Sequence, residues 1–313
     1  MTAVDPAVAR VVDAGGAHIP SLLAAVETRL AVAAGGHGEV LAAHAGTTIA
    51  AGGKRLRPLL VLLVAGTETD AVVRAAASVE LVHAATLVHD DVLDAASLRR
   101  GKPTVVATAG RGMATATGDL LFSRAFAELA RNDDADQIRA LSRASSALAR
   151  GELLQREDAF DAGVSVERYL ERCVLKTAAL FEAACELGAL AAGREVEPLA
   201  AFGRRVGLAF QLLDDVLDVS GPPERTGKHR GTDLLDGTIT LPFILAGLPI
   251  DPRSITTPEE AERVCDEIAA TGALDEARRR ALSIVDEAKR ELPDLPQRRA
   301  LELVADGVVE RYS

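Results

Sequence analysis

Tryptophan is absent from this chain of 313 residues, and aromatic side chains make up only 3% of it. Sheets favour β-branched and aromatic residues, so this scarcity, beside abundant alanine and leucine, points to helix. Cysteine is also scarce. Cys173, Cys185 and Cys265 lack the spacing of a metal knot, and the first two fall within one helical stretch. They are expected to be small core residues of a reduced, cytoplasmic protein. No apolar run approaches the length that spans a bilayer, the longest strong one being Leu59 to Ala65, so no transmembrane segment is expected. A secretory leader is not expected either, because Asp5 and Asp13 interrupt the N-terminus and no basic start precedes an apolar stretch. Positive charge is outnumbered: the formal net charge is −11, which argues against a nucleic-acid partner.

What the chain does have is apolar bulk, 48% of its residues, enough for a sizeable core. Helical periodicity predicts helices over 20–34, 38–50, 57–66, 70–94, 103–109, 112–131, 134–157, 165–192, 195–219, 238–247, 257–270, 273–290 and 296–310. Breaks fall where glycine, proline and short polar residues cluster, as at Gly35-Gly36, Gly52-Gly53 and Gly221 to Gly237. No stretch is long or polar enough to be a linker, so residues 1–313 are expected to form a single domain, with 1–18 a poorly ordered start. There is no repeat of solenoid period.

One short phrase does recur. Asp90-Asp91-x-x-Asp94 and Asp214-Asp215-x-x-Asp218 lie 124 residues apart. Residues i and i+4 share one helix face, so each copy can present two carboxylates side by side. Like charges so spaced repel, and hard oxygen donors suit Mg²⁺, which bridges one or two carboxylates to substrate phosphates. The bland alternative is a solvated acidic face. Apolar flanks count against it: Leu87, Val88, Val92 and Leu93 around the first copy, Leu212, Leu213, Val216 and Leu217 around the second. Carboxylates in such helices line a cleft or are buried, and then they need a partner. Cations stand nearby in sequence: Gly52-Gly53-Lys54-Arg55-Leu56-Arg57-Pro58, Ser97-Leu98-Arg99-Arg100-Gly101-Lys102, Lys176-Thr177, and Gly227-Lys228-His229-Arg230. A glycine pair before a basic helix start is a plausible grip for a diphosphate.

These phrases, in this order, resemble the polyprenyl synthetase family of all-trans isoprenyl diphosphate synthases. The similar segments are GGKRLRP (52–58), LVHDDVLD (87–94), SLRRGKPT (97–104), GDLLFSRAF (118–126), GELLQ (151–155), KTAALFEAACELGA (176–189), GLAFQLLDDVLD (207–218), TGKHRGTDL (226–234) and TLP (240–242). The resemblance implies an all-α fold, a single large helical bundle of the class I isoprenoid synthase type with a central active-site cavity. It implies a homodimer, and a reaction in which an allylic diphosphate is ionised and its cation adds to isopentenyl diphosphate. Three Mg²⁺ ions would be held by Asp90, Asp94 and Asp214, with Asp91, Asp215 and Asp218 supporting or completing the shell. Arg99, Lys176 and Lys228 would neutralise the allylic diphosphate, and Lys54, Arg57, His83 and Arg100 would hold that of isopentenyl diphosphate. Thr177 and Gln211 would offer oxygen dipoles to the cation. His89 is expected to orient rather than to act as a base.

The chain departs from the family pattern at Thr238, where many relatives carry a second lysine; one diphosphate contact is then lost, or replaced by Arg225 or Arg230. Product length is also open to reading. Ala85 and Thr86 lie about one turn, ~5 Å, before Asp90. Small side chains there leave a growth tunnel open, with Phe122 and Phe126 as candidates for its floor. The expected product is a hexaprenyl to decaprenyl diphosphate, with geranylgeranyl diphosphate as the alternative. Two other classes fit less well: a terpene cyclase, disfavoured by the few aromatics and the intact 52–58 phrase, and a non-catalytic subunit, disfavoured by two complete acidic motifs.

Overall fold

A computed structural model describes residues 6–35, 38–99, 101–221 and 229–310. They are helical almost throughout. The first helices are α1 (Pro6–Gly15), α2 (Ile19–Ala34), α3 (Glu39–Ala50), α4 (Leu56–Ala65) and α5 (Asp70–Leu93). A two-residue hairpin, β1 (Leu98–Arg99) on β2 (Lys102–Pro103), leads to α6 (Val105–Ala130) and α7 (Ala135–Glu157). Next come α8 (Val166–Cys173), a π-helical turn (Val174–Ala178), α9 (Ala179–Ala191) and α10 (Val196–Ser220). Last are α11 (Thr232–Leu235), α12 (Leu241–Ala246), α13 (Pro258–Ala270), α14 (Ala273–Glu291) and α15 (Arg298–Glu310).

Local chemistry sets several of these boundaries. The hydroxyls of Thr69, Thr104 and Ser165 accept from the amides of Val72, Ala107 and Arg168, satisfying first-turn donors of α5, α6 and α8. Thr257 and Glu260 form a reciprocal capping box at α13, with Pro258 just inside. Gly110 (φ 81°) kinks α6 where two separate helices were expected. Three expectations are corrected. Pro6–Gly15 is a helix with Val11 and Gly15 buried, where a poorly ordered start was expected. The stretch 165–192 is broken by the π-helical turn. And α12 starts at Leu241: Thr240 is its extended N-cap, and Pro242 sits in the first turn, where its missing amide proton costs no helical bond.

The contacts gather into two compact units. The first draws its described residues from 1–145, 180–203 and 292–304. Its centre is α4, buried from Pro58 to Ala65, together with α5, of which 15 residues are buried. Helices α5 and α6 run antiparallel: Gly118 lies against His89 at one end, and Asn132, just beyond α6, donates to the Ala71 carbonyl (2.9 Å) at the other. Gly188 of α9 packs so closely on α4 that a Cβ would lie 2.7 Å from the Val61 carbonyl oxygen. The membrane expectation needs revision here. By length and composition α5 could cross a bilayer, with mean hydropathy 1.5 over its best 18 residues, because alanine and valine offset its few charges. Yet 72% of that window is buried within the protein, the situation of a core helix.

The second unit draws its described residues from 146–179, 204–291 and 305–310. Tyr169, Val206, Ala209, Leu212, Val216 and Val285 are among its buried residues. Phe160 takes a left-handed backbone (φ 60°), and its amide donates to Gly237 (2.8 Å). A side chain on Gly237 would strike the Phe160 ring at 2.5 Å, so glycine is required there. All three cysteines are unpaired and buried, as expected of small core residues.

Candidate active site

In the first unit the acidic motif closes α5. Asp90 is half-buried, Asp91 is 6% exposed, and Asp94 is the exposed C-cap. Consecutive helical residues differ by about 100° in direction, so Asp91 faces inward while Asp90 and Asp94 share the outer face. Arg99, on the hairpin after the helix, donates its Nε to Asp91 Oδ1 (2.7 Å). Asp91 and Arg99 both line a pocket shared with Gly52, Arg55, Glu80 and His83. The expected diphosphate contacts are thus partly brought together. His83 and Arg99 border the pocket, whereas Lys54 is exposed and the Arg57 guanidinium lies over the Phe181 ring at 4.4 Å. Arg100 lies outside the described residues.

The second unit holds the other motif on α10. Asp214 and Asp218 are half-buried, and Asp215 is 3% exposed. Both oxygens of Asp215 are engaged: Tyr169 Oη donates to Oδ2 (2.5 Å) and Gln211 Nε2 to Oδ1 (2.7 Å). That second bond fixes the Gln211 amide, turning its Oε1 toward the Thr177 hydroxyl, which donates to it at 2.6 Å. Burial, joined by the charge of Asp233, pushes the Asp215 carboxyl up to about 8 against the two hydrogen bonds. Asp218 also accepts from the Asp233 amide (3.3 Å).

Lys176 and Thr177 sit on the π-helical turn, an irregularity that often marks functional positions. Lys176 Nζ donates to Glu152 Oε2 (2.5 Å) and Gln155 Oε1 (3.1 Å), both on α7. Burial works to raise the Glu152 pKa, but Lys176 and Arg156 outweigh it and hold it below the usual value. The close approach of α7 depends on Gly151: a Cβ there would lie 2.5 Å from the Lys176 amide nitrogen.

The two motifs share a pattern. Each buries its second aspartate against protein donors and leaves its first and third more exposed on an adjoining face. Among the described residues, no three acidic, histidine or cysteine groups come close enough to hold a metal by themselves. The donor set still fits a hard cation such as Mg²⁺, which keeps waters and takes one or two carboxylates plus phosphate oxygens.

Sequence reasoning missed Glu152, Gln155 and Tyr169. The first two lie in the GELLQ segment, but nothing in that string reveals a lysine 21 residues on. Tyr169 carries no sequence signal, being one of two tyrosines with unremarkable neighbours. Lys228 and Arg225 lie outside the described residues. Arg230 donates to the Val219 carbonyl (2.9 Å) and pairs with Asp266 (2.9 Å). Thr238 is half-buried, its amide bonded to the Asp233 carbonyl (2.8 Å). His89 Nε2 lies 3.4 Å from the Thr115 carbonyl and 3.3 Å from Asp119, both on α6. Ala85 is fully buried and Thr86 donates to the His83 carbonyl (2.8 Å). Phe122 stacks on His89 with centroids 5.7 Å apart, so it lies nearer the motif than a deep floor would, and Phe126 is one turn further along α6.

Comparison with known proteins accords with this geometry. Residues 39–268 match the polyprenyl synthetase family. The octaprenyl diphosphate synthase of Escherichia coli (strain K12) is 37% identical over 282 residues, covering 84% of this chain and 87% of the relative. Heptaprenyl diphosphate synthase component 2 of Geobacillus stearothermophilus is 38% identical over 299 residues, 91% and 93% of the two chains. Among solved structures, a polyprenyl synthase from Caulobacter crescentus CB15 complexed with calcium and isoprenyl diphosphate superposes with a TM-score of 0.89 at 37% identity, covering 98% of both chains.

Proposed function

Because the chain belongs to the polyprenyl synthetase family, whose fold is all-α, we propose that it is a prenyltransferase that extends an allylic diphosphate with isopentenyl diphosphate into a medium- to long-chain all-trans polyprenyl diphosphate. The observation that carries this is the shared pattern of the acidic motifs, each with its second carboxylate buried on protein donors and its first and third more exposed beside it. Asp90, Asp94, Asp214 and Asp218 are then the carboxylates for Mg²⁺, with Asp91 and Asp215 holding the helix faces in place. Mg²⁺, when bound, supplies positive charge that favours departure of the allylic diphosphate; by analogy with the family there are three ions.

The protein's own groups do the rest. Arg99, Lys176 and Lys228 neutralise the leaving diphosphate, which lowers the cost of breaking the allylic C–O bond. Glu152 and Gln155 orient the Lys176 ammonium. Thr177 donates its proton to Gln211, so its oxygen lone pairs remain for the developing allylic cation. His83, with Lys54, Arg57 and Arg100, holds isopentenyl diphosphate while its double bond attacks the cation. A new C–C bond forms, and the proton lost passes to the departed diphosphate. Ala85, Thr86, Phe122 and Phe126 border the growing chain. The homodimeric state, action as one domain and a cytoplasmic location belong to the same proposal, the last supported by three unpaired cysteines.

The test is mass analysis of the product made from labelled isopentenyl diphosphate with geranyl, farnesyl and geranylgeranyl primers and Mg²⁺. A hexaprenyl to decaprenyl diphosphate is expected. A product that stops at geranylgeranyl diphosphate would overturn the chain-length assignment, a hydrocarbon would indicate a cyclase, and no product would indicate a non-catalytic subunit.

A further inference from the structure

Arg55 stands between Lys54 and Arg57 and has no part in the chemistry above. Its backbone is left-handed (φ 50°, ψ 36°), a conformation disfavoured for a residue with a Cβ. Its side chain meets three helices. Nε and one terminal nitrogen fork onto Glu27 of α2 (2.6 and 3.1 Å), and the other terminal nitrogen reaches Glu80 of α5 (2.7 Å). The forked nitrogen also donates to the Ile49 carbonyl at the end of α3 (3.0 Å). Glu80 is only 5% exposed and lies one turn before His83, and Arg55, Glu80, His83 and Gly52 line the same pocket. A carboxylate buried in that wall would repel an arriving diphosphate unless a cation cancels it.

We infer that Arg55 is a positioning residue for isopentenyl diphosphate: its guanidinium clamp fixes the Gly52–Arg57 turn against α2, α3 and α5 and neutralises Glu80 at the pocket wall. This rests on the proposed function. The clamp needs the planar fork of arginine, because a lysine ammonium cannot bond Glu27 in a bidentate manner and reach Glu80 and Ile49 together. Backbone conformation alone is a weaker device, since glycine would adopt φ 50° without strain and yet leave the turn untethered.

Two variants of the full chain test this. Arg55→Lys keeps the charge and loses the fork. Arg55→Gly with Glu80→Gln relaxes the backbone and strands no buried carboxylate. Binding of isopentenyl diphosphate is measured by calorimetry without primer, and KM is measured for both substrates. Each variant is expected to weaken isopentenyl diphosphate binding and raise its KM by about tenfold, the equivalent of one charge-assisted hydrogen bond. The allylic KM should stay within about twofold, because a tenfold step corresponds to a whole lost contact. Folded variants with wild-type affinity would overturn the inference, as would equal losses for both substrates. If the wild type binds isopentenyl diphosphate but makes no product, the proposed function fails while calorimetry still decides the role of Arg55; no binding by the wild type overturns both.

Discussion

Replacing Gly151 with alanine should damage catalysis more than stability, and the structure gives the size of the effect. The added Cβ would lie 2.5 Å from the Lys176 amide nitrogen, 2.8 Å from its Cα and 2.9 Å from its Cβ. The first two are backbone atoms that cannot rotate away. Ordinary contact is ~3.5–4.0 Å, so α7 and the π-helical turn must part by about 1 Å. Overpacking of this kind costs ~1–3 kcal/mol. Alanine in place of glycine within a helix returns about 1 kcal/mol, leaving a net loss of ~0–2 kcal/mol. The shift falls on the backbone that carries Lys176 and Thr177, and misplacing a catalytic group by ~1 Å can cost about a hundredfold in rate. Steady-state kinetics and thermal unfolding should therefore show kcat down by ~10- to 100-fold with a Tm lowered by a few degrees at most. Gly46 in α3 is the control: a Cβ there meets nothing within 4 Å. Gly46→Ala should raise stability by about 1 kcal/mol with kinetics unchanged. If Gly151→Ala behaves like Gly46→Ala, with a higher Tm and wild-type kcat, the close packing of α7 on the Lys176 turn is wrong.

Two further substitutions probe the floor of the pocket and the second motif. Ala85→Phe forces a ring into a fully buried position, so it should overpack α5 at a cost of ~1–3 kcal/mol and, by pushing the neighbouring wall into the growth path, shorten the product seen by mass analysis; an unchanged length distribution would sink the tunnel assignment. Tyr169→Phe keeps the buried ring but removes one partner of the buried Asp215 carboxyl, which should cost ~1–3 kcal/mol in chemical denaturation and raise the Mg²⁺ concentration needed for half-maximal activity. Wild-type stability in that variant would contradict the bond to Asp215.

Much of the fold was legible because helices announce themselves by periodicity and by their stops: Thr69 and Thr257 before a helix and Gly66 and Gly247 after one are short-range signals. The π-helical turn was not legible, since one extra residue in a turn has no compositional mark. Nor was the division of labour within each motif. Asp90 and Asp91 are the same residue in sequence, and only the surroundings of α5 decide that one faces outward and the other meets Arg99.

By itself the sequence determined the helical class, the two acidic phrases and their chemistry, because spacing along one helix and the charge of its side chains are local properties. Tertiary structure alone decided which carboxylate of each pair is anchored, that Lys176 is held by Glu152, that Arg230 pairs with Asp266, and that Arg55 joins three helices. Apart from Gln211, 4 residues before Asp215, and Ile49, 6 before Arg55, those partners lie from 8 to 46 residues apart in the chain, and no local rule brings them within hydrogen-bond distance. Burial adds the final decision, for a charge enclosed in an apolar bundle must find whichever partner the packing supplies.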